Sequence, residues 1–244
     1  MPQYRQCKEL WHFSNQYWYD SKIETVEPTN LLDIPRRRFV DTLRSTAIYS
    51  DQLSGSLLNV AEAQTIVDDV LEFMNANITV ESIAILTPYR AQVDEIKHQI
   101  SWKVTCENMQ RRIEVSTTHG FQGKESDVVY ISTVRTWQNN KEQDLQSLGF
   151  LTDYRRLNVM LTRSRYANII YGDLNLLKTN EMWEVLVGYY SNTSDNCDTD
   201  FNKSKLAMLT AQAARLCAFN DEELLESQLE LSEKHDDDTM DDVN

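Results

Sequence analysis

At 244 residues, 41% hydrophobic and 25% charged, the chain has the composition of an ordinary soluble protein and the length for one large domain plus a tail. No apolar run approaches a bilayer span and the N-terminus lacks a basic-then-apolar segment, which predicts an intracellular protein without membrane attachment. The net charge of −14 is uneven: residues 220–244 hold eleven acidic residues and one lysine, so residues 1–219 carry only −4 and any nucleic-acid groove must be a local basic strip.

Met1-Pro2 leads at once into Gln3-Tyr4-Arg5, with no strand before it. Taken alone, a tyrosine-arginine pair is a surface dipeptide. Pro28 and Pro35 mark residues 24–37 as loop, and Arg38-Phe39-Val40-Asp41 is the expected first strand. Asn59 followed by Glu62 is a capping-box pattern. Val60, Ala63, Val67, Val70 and Met74 then recur at helical spacing, which predicts a helix with that face inward and Asp68, Asp69 and Glu72 in water. Ile83-Ala84-Ile85-Leu86 has the continuous apolarity of a strand buried on both faces of a parallel sheet. Thr87 and Pro88 suit the cap and first position of the next helix, whose inner face is Tyr89, Val93, Ile96 and Ile100. Such a start offers N–H groups to an anion, or is simply a strand-to-helix cap.

Residues 101–112 read as polar loop, and Ile113 to Val115 and Val128 to Val134 as the next strands. Gly120 to Lys124 does not make a phosphate-binding loop, which needs four residues between its glycines and Ser or Thr after the lysine; here Glu125 follows. Residues 136–147 form a polar surface loop. Asp153 to Arg165 reads as a helix with Leu157, Met160 and Leu161 inward; on a continuous helix Arg156 and Arg163 stand on nearly one line, about 10 Å apart. A basic helix face is ordinarily just solvated. Ala167 to Tyr171 is the last strand, ending at Gly172-Asp173, and a helix over 181–190 closes the domain on Met182, Trp183, Leu186 and Tyr190.

Alternating strands and amphipathic helices predict an α/β fold with a doubly wound, mainly parallel sheet over residues 1–190. Residues 191–202 are a linker, 203–219 a helix, and 220–244 an acidic, disordered tail that either competes for the basic strip or only solubilises. Cys7, Cys106, Cys197 and Cys217 have neither paired spacing nor a nearby histidine cluster, so they read as reduced thiols and no metal site is expected.

The segment from Arg112 to Arg165 carries a sharper signal. Gly120-Phe121-Gln122-Gly123-Lys124-Glu125, Asp127-Val128-Val129, Ser132 and Val134-Arg135 are followed by Gly149-Phe150-Leu151, Asp153, Arg155-Arg156-Leu157-Asn158-Val159 and Leu161-Thr162-Arg163. In that order they resemble the last two motifs of superfamily 1 helicases of the nonsense-mediated-decay and senataxin type. Gln3-Tyr4-Arg5 is similar to an earlier motif of that family, with Gln6-Cys7-Lys8 in place of Met-His-Pro.

The resemblance covers most of residues 1–190 and implies the second of two RecA-like motor domains, of P-loop NTPase type but without its own P-loop. In that family ATP with Mg2+ lies between the two domains, and the first supplies the P-loop lysine and the Asp-Glu metal ligands. This chain has neither motif, so the resemblance implies half of an ATP-dependent helicase, joined by its first domain in cis or in trans. Carried over by motif, Arg5 and Arg163 bring charge to the departing phosphate, Tyr4 stacks on the adenine, Gly123 permits close backbone approach and Glu125 bonds the ribose hydroxyls. Thr87, Pro88, Tyr89, Thr118 and His119 fall on the family's nucleic-acid side, although a structural role explains His119 equally well. The implied partner is single-stranded RNA or DNA, with 5′ to 3′ travel.

Two other classes stay open. A non-catalytic helicase-like module would bind a protein or nucleic acid, but has no need of Arg5, Glu125 and Arg163 together. Another doubly wound enzyme, such as a dinucleotide user, would need the G-x-G-x-x-G that is missing.

Overall fold

The computed structural model describes residues 2–26, 34–42, 45–49, 55–76, 80–137 and 147–191. The expected linker beyond residue 191, the helix over 203–219 and the acidic tail lie outside the described residues. So does the second of the chain's two compact units, 198–244.

The chain opens on a short strand that its sequence did not suggest: β1 (Pro2–Gln3) pairs in parallel with β2 (Glu24–Thr25) on either side of α1 (Lys8–Trp18). Helix α1 buries Leu10, Trp11, Phe13 and Tyr17. Strand β3 (Arg37–Asp41) follows, and β4 (Ile48–Tyr49) pairs antiparallel with β5 (Leu57–Leu58). Asn59 caps α2 (Val60–Asn75) as its sequence predicts, its side chain accepting from the Glu62 N–H. Val60 departs from expectation: it is 42% exposed, while Glu62 and Ile66 turn inward beside Ala63, Val67, Val70 and Met74.

Strand β6 (Ile83–Thr87) is buried at every residue. Thr87 ends that strand instead of capping the next helix; α3 (Arg90–Lys103) starts after Tyr89, and the Ala91 N–H is satisfied by Ser56 Oγ at 3.0 Å. The expected loop over 101–112 contains the end of α3 and the short α4 (Glu107–Gln110). Strands β7 (Ile113–Thr117) and β8 (Ser126–Ser132) come next. A 3-10 turn over Gly149–Thr152 leads into α5 (Tyr154–Leu161), then β9 (Ser164–Gly172), α6 (Leu174–Leu177) and α7 (Glu181–Ser191).

The main sheet runs β3-β9-β8-β6-β7 with all pairs parallel. Parallel neighbours need crossovers, and right-handed ones put helices on one face while the chain advances across the sheet and on the other once it turns back. The chain advances from β3 through β6 to β7 and then turns back to β8 and β9. Accordingly α2 and α3 pack together on one face, over Ile83, Ile85, Val128, Tyr130, Ala167 and Ile169. Helices α1, α5 and α7 serve the other, with Trp183 fully buried and its Nε1–H donating to the Leu151 carbonyl at 2.8 Å.

Helix α5 stops at Leu161, so Arg163 is not on it and the expected line of Arg156 and Arg163 along one helix does not form. Two features end the helix. The Thr162 hydroxyl bonds back to the Asn158 carbonyl at 2.7 Å, and Ser164 is drawn into the sheet opposite Ser126. At the other end Asp153 accepts from the Arg155 and Arg156 N–H groups. Asp153→Ala should therefore lower stability by about 1 kcal/mol in urea unfolding; an unchanged midpoint would show that α5 is held by packing alone.

At the C-terminal ends of the strands lies a buried polar network. Glu62 is fully buried, with its carboxylate accepting from Ser132 Oγ (2.6 Å), the Val134 N–H (2.9 Å) and Thr42 Oγ1 (3.2 Å). Val134 sits at φ +67°, a strained conformation for a β-branched residue, and the Arg135 N–H closes a tight turn onto the Thr133 carbonyl at 2.7 Å.

Candidate functional site

The sequence-predicted residues gather at opposite edges of the sheet. Strands β8 and β9 begin at Ser126 and Ser164, which places Glu125 and Arg163 side by side at the N-terminal edge. Arg5 reaches the same place from 120 residues away: its Nε donates to Glu125 Oε2 at 2.5 Å and its NH1 to the Thr162 carbonyl at 3.3 Å. Arg163 is held by the Val159 carbonyl (3.0 Å), the Lys124 carbonyl (3.2 Å) and Thr162 Oγ1 (3.0 Å). Burial, and then the like charge of Arg5, depress the pKa of Arg163 below the usual arginine value.

Tyr4 stands beside this group, 68% exposed. Gly123 has φ +83°, a region that L side chains rarely adopt, so the backbone itself calls for glycine there. An added Cβ would meet nothing within 4 Å, which leaves open the close approach its motif implies. The face formed by Tyr4, Arg5, Gly123, Glu125 and Arg163 carries an aromatic ring, two guanidinium groups and a carboxylate, with Arg163 half-buried and the others exposed. Among the described residues no group of three His, Cys, Asp or Glu side chains is placed to hold a metal ion.

Several residues of this edge were not singled out from the sequence. Gln6, 1% exposed, donates to the Leu161 carbonyl (2.9 Å) and Ser164 Oγ (3.1 Å), anchoring the Tyr4-Arg5 segment to the end of α5. Arg165 donates to Glu125 Oε1 at 2.5 Å and Asp127 Oδ1 at 3.4 Å. Arg165 first, and Arg5 after it, hold the Glu125 carboxyl below the usual carboxylate range. Arg165 stands at the start of β9, which reaches back to Ser164 where the sequence suggested a strand only from Ala167.

The other set lies at the C-terminal edge. Thr87 and Thr118 meet where the Thr118 N–H donates to the Thr87 carbonyl at 3.1 Å, and both side chains are buried. Pro88 is half-buried and His119 exposed. Tyr89 is 2% exposed, its hydroxyl accepting from Arg135 Nε at 2.5 Å and its ring tilted on Phe150. Phe150 is 51% exposed and has the Arg156 guanidinium 4.8 Å over its ring, so a cation and an aromatic surface border this edge.

The profile of the AAA domain family matches residues 1–175. Helicase sen1 of Schizosaccharomyces pombe is 31% identical over 195 residues, covering 76% of this chain and 11% of the relative. The regulator of nonsense transcripts 1 homolog of Drosophila melanogaster is 28% identical over 86% of this chain and 18% of its own length. An uncharacterized ATP-dependent helicase of Methanocaldococcus jannaschii is 30% identical over 76% of this chain and 28% of its own. The chain therefore spans about a tenth to a quarter of the length of these relatives. With the parallel doubly wound sheet and the two late motifs in place on it, the chain belongs to the AAA domain family, as a second RecA-like domain of superfamily 1 helicases of the nonsense-mediated-decay and senataxin type.

Proposed function

We propose that this chain is the C-terminal motor half of an ATP-dependent helicase acting on single-stranded RNA or DNA. The observation that carries the reading is the convergence of Arg5, Glu125 and Arg163, distant in sequence, on one open edge. Phosphoryl transfer is accelerated mainly by positive groups placed on the departing phosphate oxygens. Arg5 and Arg163 supply that charge, and they supply it only when a nucleotide held elsewhere is brought against this edge. Tyr4 stacks on the base and Glu125 accepts from the ribose hydroxyls. ATP with Mg2+ rests on a first RecA-like domain, in cis or in trans, which contributes the phosphate loop and metal ligands.

Closure of the two domains would move the opposite edge, with Thr87, Pro88, Tyr89, Thr118 and His119, along the strand. That edge offers the backbone of the β6–α3 turn, the exposed His119 and the Phe150–Arg156 pair to phosphates and bases.

The test is simple for the isolated chain: it should hydrolyse ATP no faster than a buffer blank, and gain nucleic-acid-stimulated turnover only with its P-loop domain. Stimulated turnover by the pure chain alone would remove the half-motor reading.

A further inference from the structure

Glu125 is bonded through both its oxygens, and the two bonds differ in kind. Oε2 accepts from Arg5, which lies in a bend beside the exposed Tyr4 and has Thr162 as its further acceptor. Oε1 accepts from Arg165, which lies near the start of β9 at the bulge where Arg165 and Tyr166 stand opposite Asp127. Arg165 is itself braced: its other guanidinium nitrogen meets Asp127 Oδ1 at 3.4 Å, and Asp127, 3% exposed, accepts through Oδ2 from the N–H groups of Glu81 (2.6 Å) and Ser82 (3.2 Å). A planar fork spanning two carboxylates fixes both in a way that a single ammonium does not.

Arg5 spends its Nε on Glu125 Oε2, so a ribose hydroxyl at that oxygen has either to share it with Arg5 or to take its place, and Arg5 keeps N–H groups for a phosphate in both cases. Either way the Glu125 side chain keeps its aim only if its other oxygen is held by a group that does not move.

We propose that Arg165 is a positioning residue for ribose recognition: it holds Glu125 by Oε1 throughout, so that Oε2 meets the ribose of the incoming nucleotide. This rests on the proposed role of Glu125 at the ribose. Arg165 touches no nucleotide and acts through Glu125 alone.

The test uses the assembled two-domain motor with ATP and 2′,3′-dideoxy-ATP, comparing kcat/KM for each. Wild type should prefer ATP by about 10- to 100-fold, the loss expected when charge-assisted hydrogen bonds to the hydroxyls go. Arg165→Gln should bring kcat/KM for ATP down to the level of the analogue, while the value for the analogue stays within about threefold of wild type. A general loss of structure would lower both values equally. Arg165→Lys keeps the charge and serves where Arg165→Gln melts early; with one ammonium for two carboxylates it too should lose most of the preference at an unchanged melting temperature. A preference that Glu125→Gln removes and both Arg165 variants retain would overturn the inference alone. A wild type indifferent to the ribose hydroxyls would overturn it together with the ribose assignment of Glu125.

Discussion

In the assembled two-domain motor, Arg163→Ala should lower ATP turnover by roughly a thousandfold, the scale of other transferred-charge arginines. The affinity for ATP should fall much less, by under about tenfold, because the charge is needed most where negative charge develops on the departing phosphate. The geometry supports a large effect. Three acceptors, from Val159, Thr162 and Lys124, hold the Arg163 guanidinium in place, so little reorganisation is left for the moment of reaction. Arg163→Lys should recover little, since an ammonium cannot bond in several directions within one plane. Single-turnover hydrolysis separates the step from product release, and an unchanged rate would take Arg163 out of the site.

How much of this was legible in the sequence differs from residue to residue. The continuous apolarity of Ile83 to Leu86 predicts a strand buried on both faces, and β6 is one. Met182, Trp183, Leu186 and Tyr190 predict the inner face of α7 correctly. The stretch from Asp153 to Arg165 contains no glycine or proline, so nothing local announces the stop at Leu161. That stop comes from β9 pairing with β8, a contact between segments 38 residues apart in the Ser126–Ser164 register. Arg163 was therefore singled out by its motif while its placement was misjudged.

Gln6 and Arg165 escaped for a related reason: their partners are a carbonyl at the end of α5 and a glutamate before β8, and neither relation has a spacing to read. Tyr89 shows the converse. Helical spacing correctly predicted that it is buried, but Tyr89 precedes α3 as its cap residue, and its bond to Arg135 depends on the tight turn at Val134.

Glu62 is the sharpest case, and it leads to a stability effect of comparable size. As the third residue after Asn59 it fits a capping box, in which it would reach back to the Asn59 N–H. That N–H instead donates to Gln92 Oε1 at 2.7 Å, and Glu62 points into the protein, where Ser132, Val134 and Thr42 donate to its carboxylate. Burial, with a smaller contribution from the negative charge of Asp173, pushes its pKa up from 4.5 to about 7 against the hydrogen bonds that favour the ionised form.

A carboxyl with a raised folded-state pKa is protonated in the folded chain at pH values where the unfolded chain has already released the proton. Stability is then unaffected by Glu62 below pH 4.5, falls as pH rises through the interval up to about 7, and is fully reduced above it. The reduction is on the order of 3 kcal/mol. Glu62→Gln keeps acceptors for Ser132 and Val134 and a donor for Thr42 but cannot ionise, so it removes this fall. In urea unfolding of the full chain, the variant should gain on wild type steadily between pH 5 and pH 8, by about that amount across the interval. All other carboxylates are common to both proteins and cancel in the difference. A difference that stays constant with pH would mean that Glu62 titrates in the ordinary carboxylate range, with its three hydrogen bonds outweighing its burial.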